Sequence, residues 1–246
     1  MRTVKFNIQY IIRLVIFWLL YFAWFRMMFI VYHHTKIMDG MHSDTGKSFL
    51  YGIRLDLSVL TGAIIIPYIL WTFQQFFKNR IIHLLNLGYN IVLIVFVSCL
   101  SVINLKVYGE WGTLLGARAL HSFLSPAETP DFISLGSVLL MVFASGLFAY
   151  FGVKFYRRFI TNFSYPIENK IMRWIQIVIV PVCIIIAFRG GLQEVPIDES
   201  NVNYSQYPVN NILATNNLYY FVHTCLDPSA DADFYKIKSE AVSQRK

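Results

Sequence analysis

A chain of 246 residues that is 56% hydrophobic and only 14% charged is not composed like a soluble domain, where about a quarter of residues carry charge. With aromatics at 17%, it reads as a polytopic membrane protein. The net charge of +7 signals topology rather than nucleic-acid binding, and Cys99, Cys183 and Cys225 fit no disulfide framework and no metal or redox spacing.

Taken in order, the first predicted span is about Ile8 to Tyr32. The apolar run after Arg2 and Lys5 is too long for a cleavable leader, and no small-x-small site follows it. Arg13 and Arg26 sit near the two ends of this span. The twelve residues between them rise only about 18 Å, so both side chains are expected to snorkel if the helix crosses about 30 Å of hydrocarbon. Trp18 and Trp24 are expected at the interfaces.

The polar loop from about His33 to Leu50 contains Gly40. His33, His34 and His42 with Asp39 and Asp44 match no ligand spacing and read as solvated loop residues.

Next comes Tyr51-Gly52-Ile53-Arg54-Leu55-Asp56-Leu57-Ser58, an arginine and an aspartate at the mouth of an uncharged run that extends to Phe73. Charges at a membrane boundary must be paired, hydrated or snorkelled. In a helix Arg54 and Asp56 point apart and each needs its own partner; in an extended segment both share one face. One reading is an Asp helix cap beside a snorkelling Arg. The other is a polar cluster at the outer membrane surface, in which Glu110 answers Arg54 or Arg118 answers Asp56.

The second span runs from about Leu57 to Phe76, and the third from about Ile81 to Ile103, with Asn86, Asn90 and Ser98 able to bond between helices. A second loop, about Asn104 to Asp131, places Leu114, Leu115, Leu120, Phe123 and Leu124 at helix-like intervals before Ser125-Pro126, which predicts a short interfacial helix. Span four is about Phe132 to Val153, with Gly136, Ala144, Ser145 and Gly146 for close packing. Span five is about Ile171 to Phe188, with Pro181 as a tolerated kink.

Arg189-Gly190-Gly191 marks a turn. Pro208 then opens an apolar-periodic segment with Ile212, Leu213, Leu218, Phe221 and Val222 that ends at Asp227-Pro228. Asn203-Tyr204-Ser205 is a formal glycosylation sequon, and His121 reads as a surface residue.

With the N-terminus inside, inner segments hold Arg2, Lys5, Lys78, Arg80, Lys154, Arg157, Arg158, Lys170 and Arg173. The outer loops hold only Lys36, Lys47, Lys106 and Arg118. The positive-inside bias therefore predicts an all-α, five-helix transmembrane bundle, N-in and C-out, over residues 1–190. Residues 191–246 are expected to be an extracytoplasmic linker, whose last stretch, Ala230 to Lys246, is too short to build a core alone. No Ser-His-Asp set, phosphate loop or paired catalytic carboxylates appear with usable spacing, so no catalytic residue and no metal ligand is assigned.

Several motifs in order resemble the membrane half of lipoteichoic-acid-synthase-like phosphoglycerol transferases, in the sulfatase branch of the alkaline phosphatase superfamily. They are Gly52 to Ser58, Tyr108-Gly109-Glu110-Trp111-Gly112, Ser125-Pro126-Ala127-Glu128, Arg189-Gly190-Gly191-Leu192-Gln193, Asn210-Asn211, and Tyr219 to Asp227. The resemblance implies a bacterial cytoplasmic membrane location. It also implies an α/β catalytic domain after Lys246, carrying a threonine nucleophile and a divalent metal of the manganese, magnesium or calcium class. This chain would then be the anchor and linker of a transferase or of a sulfuric or phosphoric ester hydrolase. Arg54, Arg118 and Arg189 would be the candidate contacts for anionic or phosphoglycerol headgroups, because guanidinium pairs with phosphate through two parallel bonds. Asp56 and Glu110 would be candidate contacts to the domain. The alternative is a free-standing small membrane protein, such as a transporter subunit or assembly factor, which would need a polar pathway through its bundle.

Overall fold

Long uncharged runs bounded by polar caps make long helices here, and short amphipathic runs make short ones. The computed structural model describes residues 2–38, 45–77, 79–124, 134–160, 170–190 and 197–227. Among these the chain is helical, without strands: α1 (Arg2–Tyr32), α2 (His34–Met38), α3 (Lys47–Phe76), α4 (Arg80–Trp111), α5 (Ala117–Leu124), α6 (Leu135–Phe159), α7 (Lys170–Phe188), a 3-10 turn (Glu199–Val202), α8 (Pro208–Ala214) and α9 (Asn217–Leu226). Four of them, α1 over Gln9–Tyr32 together with α3, α4 and α6, are long and apolar enough to cross a membrane. The apolar stretch of α7, Gln176–Phe188, is shorter.

Two helices exceed their predicted lengths by far. α3 starts at Lys47 rather than Leu57, so Arg54 and Asp56 lie inside the helix and Asp56 is no cap. α4 begins on Asn79, whose side chain accepts from the Ile81 amide (2.9 Å). It runs past Ile103 to Trp111 and stops at Gly112, whose φ of 67° suits glycine and closes the helix onto the Tyr108 carbonyl. Its 32 residues rise about 48 Å, well beyond a hydrocarbon core.

α3 is the central element, touching α1, α4, α7, α8, α9 and the 3-10 turn. It and α7 each contain a proline, which orphans the carbonyl four residues earlier. In both cases a tyrosine from a neighbouring helix donates the missing bond. Tyr89 Oη on α4 reaches the Ala63 carbonyl behind Pro67 (3.1 Å). Tyr68 Oη on α3 reaches the Gln176 and Ile177 carbonyls (3.3 and 3.4 Å), of which Ile177 stands behind Pro181.

The core is aromatic. Phe17, Trp18, Tyr21, Phe22 and Phe25 of α1 pack with Tyr156 of α6, Phe17 and Tyr156 edge-on at 5.4 Å. Trp18 is fully buried, not interfacial, because it lies on the α1 face turned to this cluster; Trp24, on the other face, is exposed. Asn86 exchanges two bonds with Tyr10 Oη (3.0 and 3.2 Å), and Ser98 shares one with Tyr21 (2.7 Å), as expected of interhelical polar residues. Asn90 instead bonds back to Asn86 on its own helix.

On α6 the buried small face is Ser145, Ala149 and Gly152. Gly136 and Gly146, expected at a contact, are exposed, since both lie off the packed stripe of the helix. Gly152 is where α6 comes closest: a Cβ there would sit 2.7 Å from Tyr21 Oη and 2.9 Å from Ile94. Arg13 is half-buried and reaches the Phe159 carbonyl at the end of α6 (3.4 Å), the helix end that favours a cation.

Beyond Gly190, whose φ is 81°, the chain turns back. Residues 197–227 pack onto the bundle end formed by the C-termini of α1 and α4 and the N-terminus of α3.

Candidate functional site

The site grows from Asp56. It lies nine positions into α3, and Arg26 lies six positions before the end of α1. At 1.5 Å per residue these are depths of about 14 and 9 Å from the same end of an antiparallel pair, so the two charges meet. Arg26 Nη1 donates to Asp56 Oδ2 (3.0 Å) and Nη2 to Oδ1 (3.1 Å), with the residues 7% and 3% exposed. Arg26 does not snorkel. It turns inward to a carboxylate, with its Cζ 5.6 Å from the Phe49 ring centroid.

The returning segment completes this pair. Arg26 Nε donates to the Leu213 carbonyl (2.8 Å) and Nη2 to the Ala214 carbonyl (3.3 Å), both in the last turn of α8. Asn216 Nδ2 donates to Asp56 Oδ1 (2.7 Å). The other end of the same amide, Oδ1, caps α9 by accepting from the Leu218 and Tyr219 amides (2.9 and 3.2 Å). Gly52 makes room. A Cβ there would collide with Arg26 Nη2 and come within 2.6 Å of the Ala214 carbonyl. Beside the pair is a cavity of about 30 Å³ lined by Phe22, Phe25, Ser101 and Asn216 among others. That is room for one or two water molecules, not for a headgroup.

Further contacts seat the segment. Asn104 Oδ1 accepts from the Leu115 amide (2.7 Å) and folds the chain after α4 back on itself. Thr224 Oγ1 of α9 accepts from the Ala117 amide (3.1 Å) at the start of α5. Asn211 receives the Tyr204 and Ser205 amides, and Tyr204 stacks on Tyr51 at 4.4 Å. Ser58 Oγ donates to the Phe188 carbonyl (2.7 Å), which brings the end of α7 to α3. His223 Nδ1 lies 2.9 Å from Glu199 Oε1. Burial pushes the Glu199 carboxyl above its ordinary range against the opposing pull of His223. Burial likewise raises the Tyr219 hydroxyl, with Glu199 and Asp198 adding to it.

Asp56 is answered by Arg26 and Asn216. Glu110 is exposed and pairs with Lys106 one turn earlier (2.9 Å), not with Arg54. Arg54 is exposed on α3 and Arg189 is exposed just past α7. The Ser58–Phe188 bond puts both at the same end of the bundle. Arg118 falls on α5, and its side chain lies outside the described part of the structure. His33 is buried rather than solvated, donating from Nε2 to the Leu105 carbonyl (2.9 Å) and packing on Phe29 and Tyr108. His34 and His121 are exposed. Asp39, His42, Asp44, Ser125 to Asp131, Gly191-Leu192-Gln193 and residues 228–246 lie outside the described residues.

Sequence reasoning missed Arg26 and Asn216. With span two read from Leu57, Asp56 falls outside the helix, and its depth relative to Arg26 follows only from the start of α3 at Lys47. Among the described residues no three His, Cys, Asp or Glu side chains gather to hold a metal, so no metal-dependent step is assigned to them. No family model matches this chain, and neither a curated protein nor a solved structure matches it.

Proposed function

We propose that this chain is the membrane anchor and juxtamembrane linker of a lipoteichoic-acid-synthase-like enzyme, a phosphoglycerol transferase or sulfatase-family ester hydrolase of the bacterial cytoplasmic membrane. In this reading α1, α3, α4, α6 and α7 cross the bilayer, N-terminus inside and C-terminus outside. The 19 residues of α7 rise about 28 Å, close to the hydrocarbon thickness. Any divalent metal belongs to the catalytic domain, and none of the residues above is assigned to it.

The observation that carries the reading is the returned segment. Residues 197–227 are gripped by a buried ion pair and by α3, α4 and α5. Such a linker would hold a catalytic domain attached to it at a set height over the membrane. An enzyme acting on lipid headgroups gains from that, because confinement raises effective concentration. In this reading Arg54 and Arg189, exposed at the same bundle end, are the candidate contacts for an anionic phosphoglycerol headgroup, by paired hydrogen bonds.

Two experiments test this. Alkaline phosphatase fused after Lys246 should be active, and inserted at 161–169 inactive, since it matures only in an oxidising compartment; the reverse pattern ends the reading. In the full-length enzyme, Arg54→Ala with Arg189→Ala should lower turnover of a lipid substrate several-fold and spare a soluble ester. Equal loss on both substrates would remove the headgroup role.

A further inference from the structure

A buried ion pair is tolerated in an apolar bundle only when its remaining donors and acceptors are also met. Among the groups that the two mutual bonds of Arg26 and Asp56 leave open are Arg26 Nε, a second Nη2 proton and a further lone pair on Asp56 Oδ1. The Leu213 carbonyl, the Ala214 carbonyl and Asn216 Nδ2 meet these three, and all come from residues 213–216. Burying the pair and seating α8–α9 therefore support each other, and by linkage each must favour the other equally. We propose that α8–α9 is a latch: it docks on the bundle through the Arg26–Asp56 pair, and its undocking and the hydration of that pair are one two-state transition. The cavity beside the pair gives water its point of entry. The latch is a property of this chain alone, whatever enzyme the chain anchors.

The latch has a polarity that a simple ion pair lacks. Two carbonyls face Arg26, so the cation must stand on α1. A donor faces Asp56, so the anion must stand on α3. Asn216 cannot rotate its amide to suit the opposite arrangement, because its oxygen is held by the Leu218 and Tyr219 amides. The Gly52 notch locates the contact further, since it admits the guanidinium and the Ala214 carbonyl together.

The test is peptide-resolved hydrogen exchange on the full chain in lipid nanodiscs. Asn216→Asp keeps a good helix cap but sets a second carboxylate against Asp56. Amides of 208–226 should then exchange at least tenfold faster while α3, α4 and α6 keep their protection. The charge swap Arg26→Asp with Asp56→Arg should leave α8–α9 equally loosened, although an ion pair is again possible. Protection of 208–226 unchanged in Asn216→Asp, or restored by the swap, overturns the latch. So does uniform acceleration over the whole bundle in Asn216→Asp, which would show that the segment is not a separate unit. If the swap fails to fold, the Asn216→Asp comparison decides alone.

Discussion

Gly52 and Gly146 show how much a single helical glycine depends on its neighbours. Both sit inside long helices, where glycine costs about 0.5–1 kcal/mol relative to alanine. Gly146 is exposed, and a methyl group there would meet nothing within 4 Å, while one on Gly52 would face Arg26 and the Ala214 carbonyl at 2.6 Å. Gly146→Ala should therefore be neutral or stabilise by up to about 1 kcal/mol. Gly52→Ala should destabilise by roughly 1–3 kcal/mol, the usual cost of overpacking. Thermal unfolding in detergent reads both, and equal shifts would mean that the notch at Gly52 is not filled as described.

At the scale of elements, the two proline-bearing helices depend on tyrosines from their neighbours. Tyr89→Phe removes the donor to the Ala63 carbonyl, and an interhelical hydrogen bond of this kind is worth about 0.6 kcal/mol, at most about 1.7. Pro67→Ala returns a backbone amide to that carbonyl, so in its background Tyr89→Phe should become nearly silent. A double-mutant cycle with no coupling would refute the pairing.

The 3-10 turn and α9 meet at Glu199 and His223. Because burial raises the Glu199 carboxyl above its ordinary 4.5, the folded state holds that proton more tightly than the unfolded chain does. Its contribution is complete below the unfolded value and is lost as pH rises through the folded value. Across that acidic window the melting temperature of the native chain should fall with rising pH relative to Glu199→Gln. Parallel curves for the two proteins would show that the carboxyl is not perturbed in the fold.

For the whole molecule, the three cysteines report topology without any added residue. Cys225 is exposed on α9, Cys183 is exposed on the apolar face of α7, and Cys99 is half-buried in α4. If the α8–α9 end faces outward and α7 crosses the bilayer, a membrane-impermeant maleimide given to intact cells should label Cys225 alone. Labelling of Cys225 only after the membrane is opened would invert the bundle.

Hydropathy was enough to read the helical class, the existence of the four long apolar helices α1, α3, α4 and α6, and a further apolar helix at α7, because a run of apolar side chains and the cap that ends it are local properties of the chain. Pro208 and Asp227 act where they stand. Asn86 and Ser98 could be read as interhelical contacts because an amide or hydroxyl in an apolar run must find a partner. What the tertiary structure alone decided is which partner answers which charge. Taken by sequence, Arg26 reads as a snorkelling end residue and Asp56 as a cap or as part of a polar surface cluster, since each is adequate for an isolated helix. Only with α1 and α3 antiparallel, and with 213–216 folded back over them, do the carboxylate, the guanidinium, two carbonyls and an amide converge. Pairing across 30 and 160 residues is set by packing depth and helix rotation, and no local pattern of side chains encodes either.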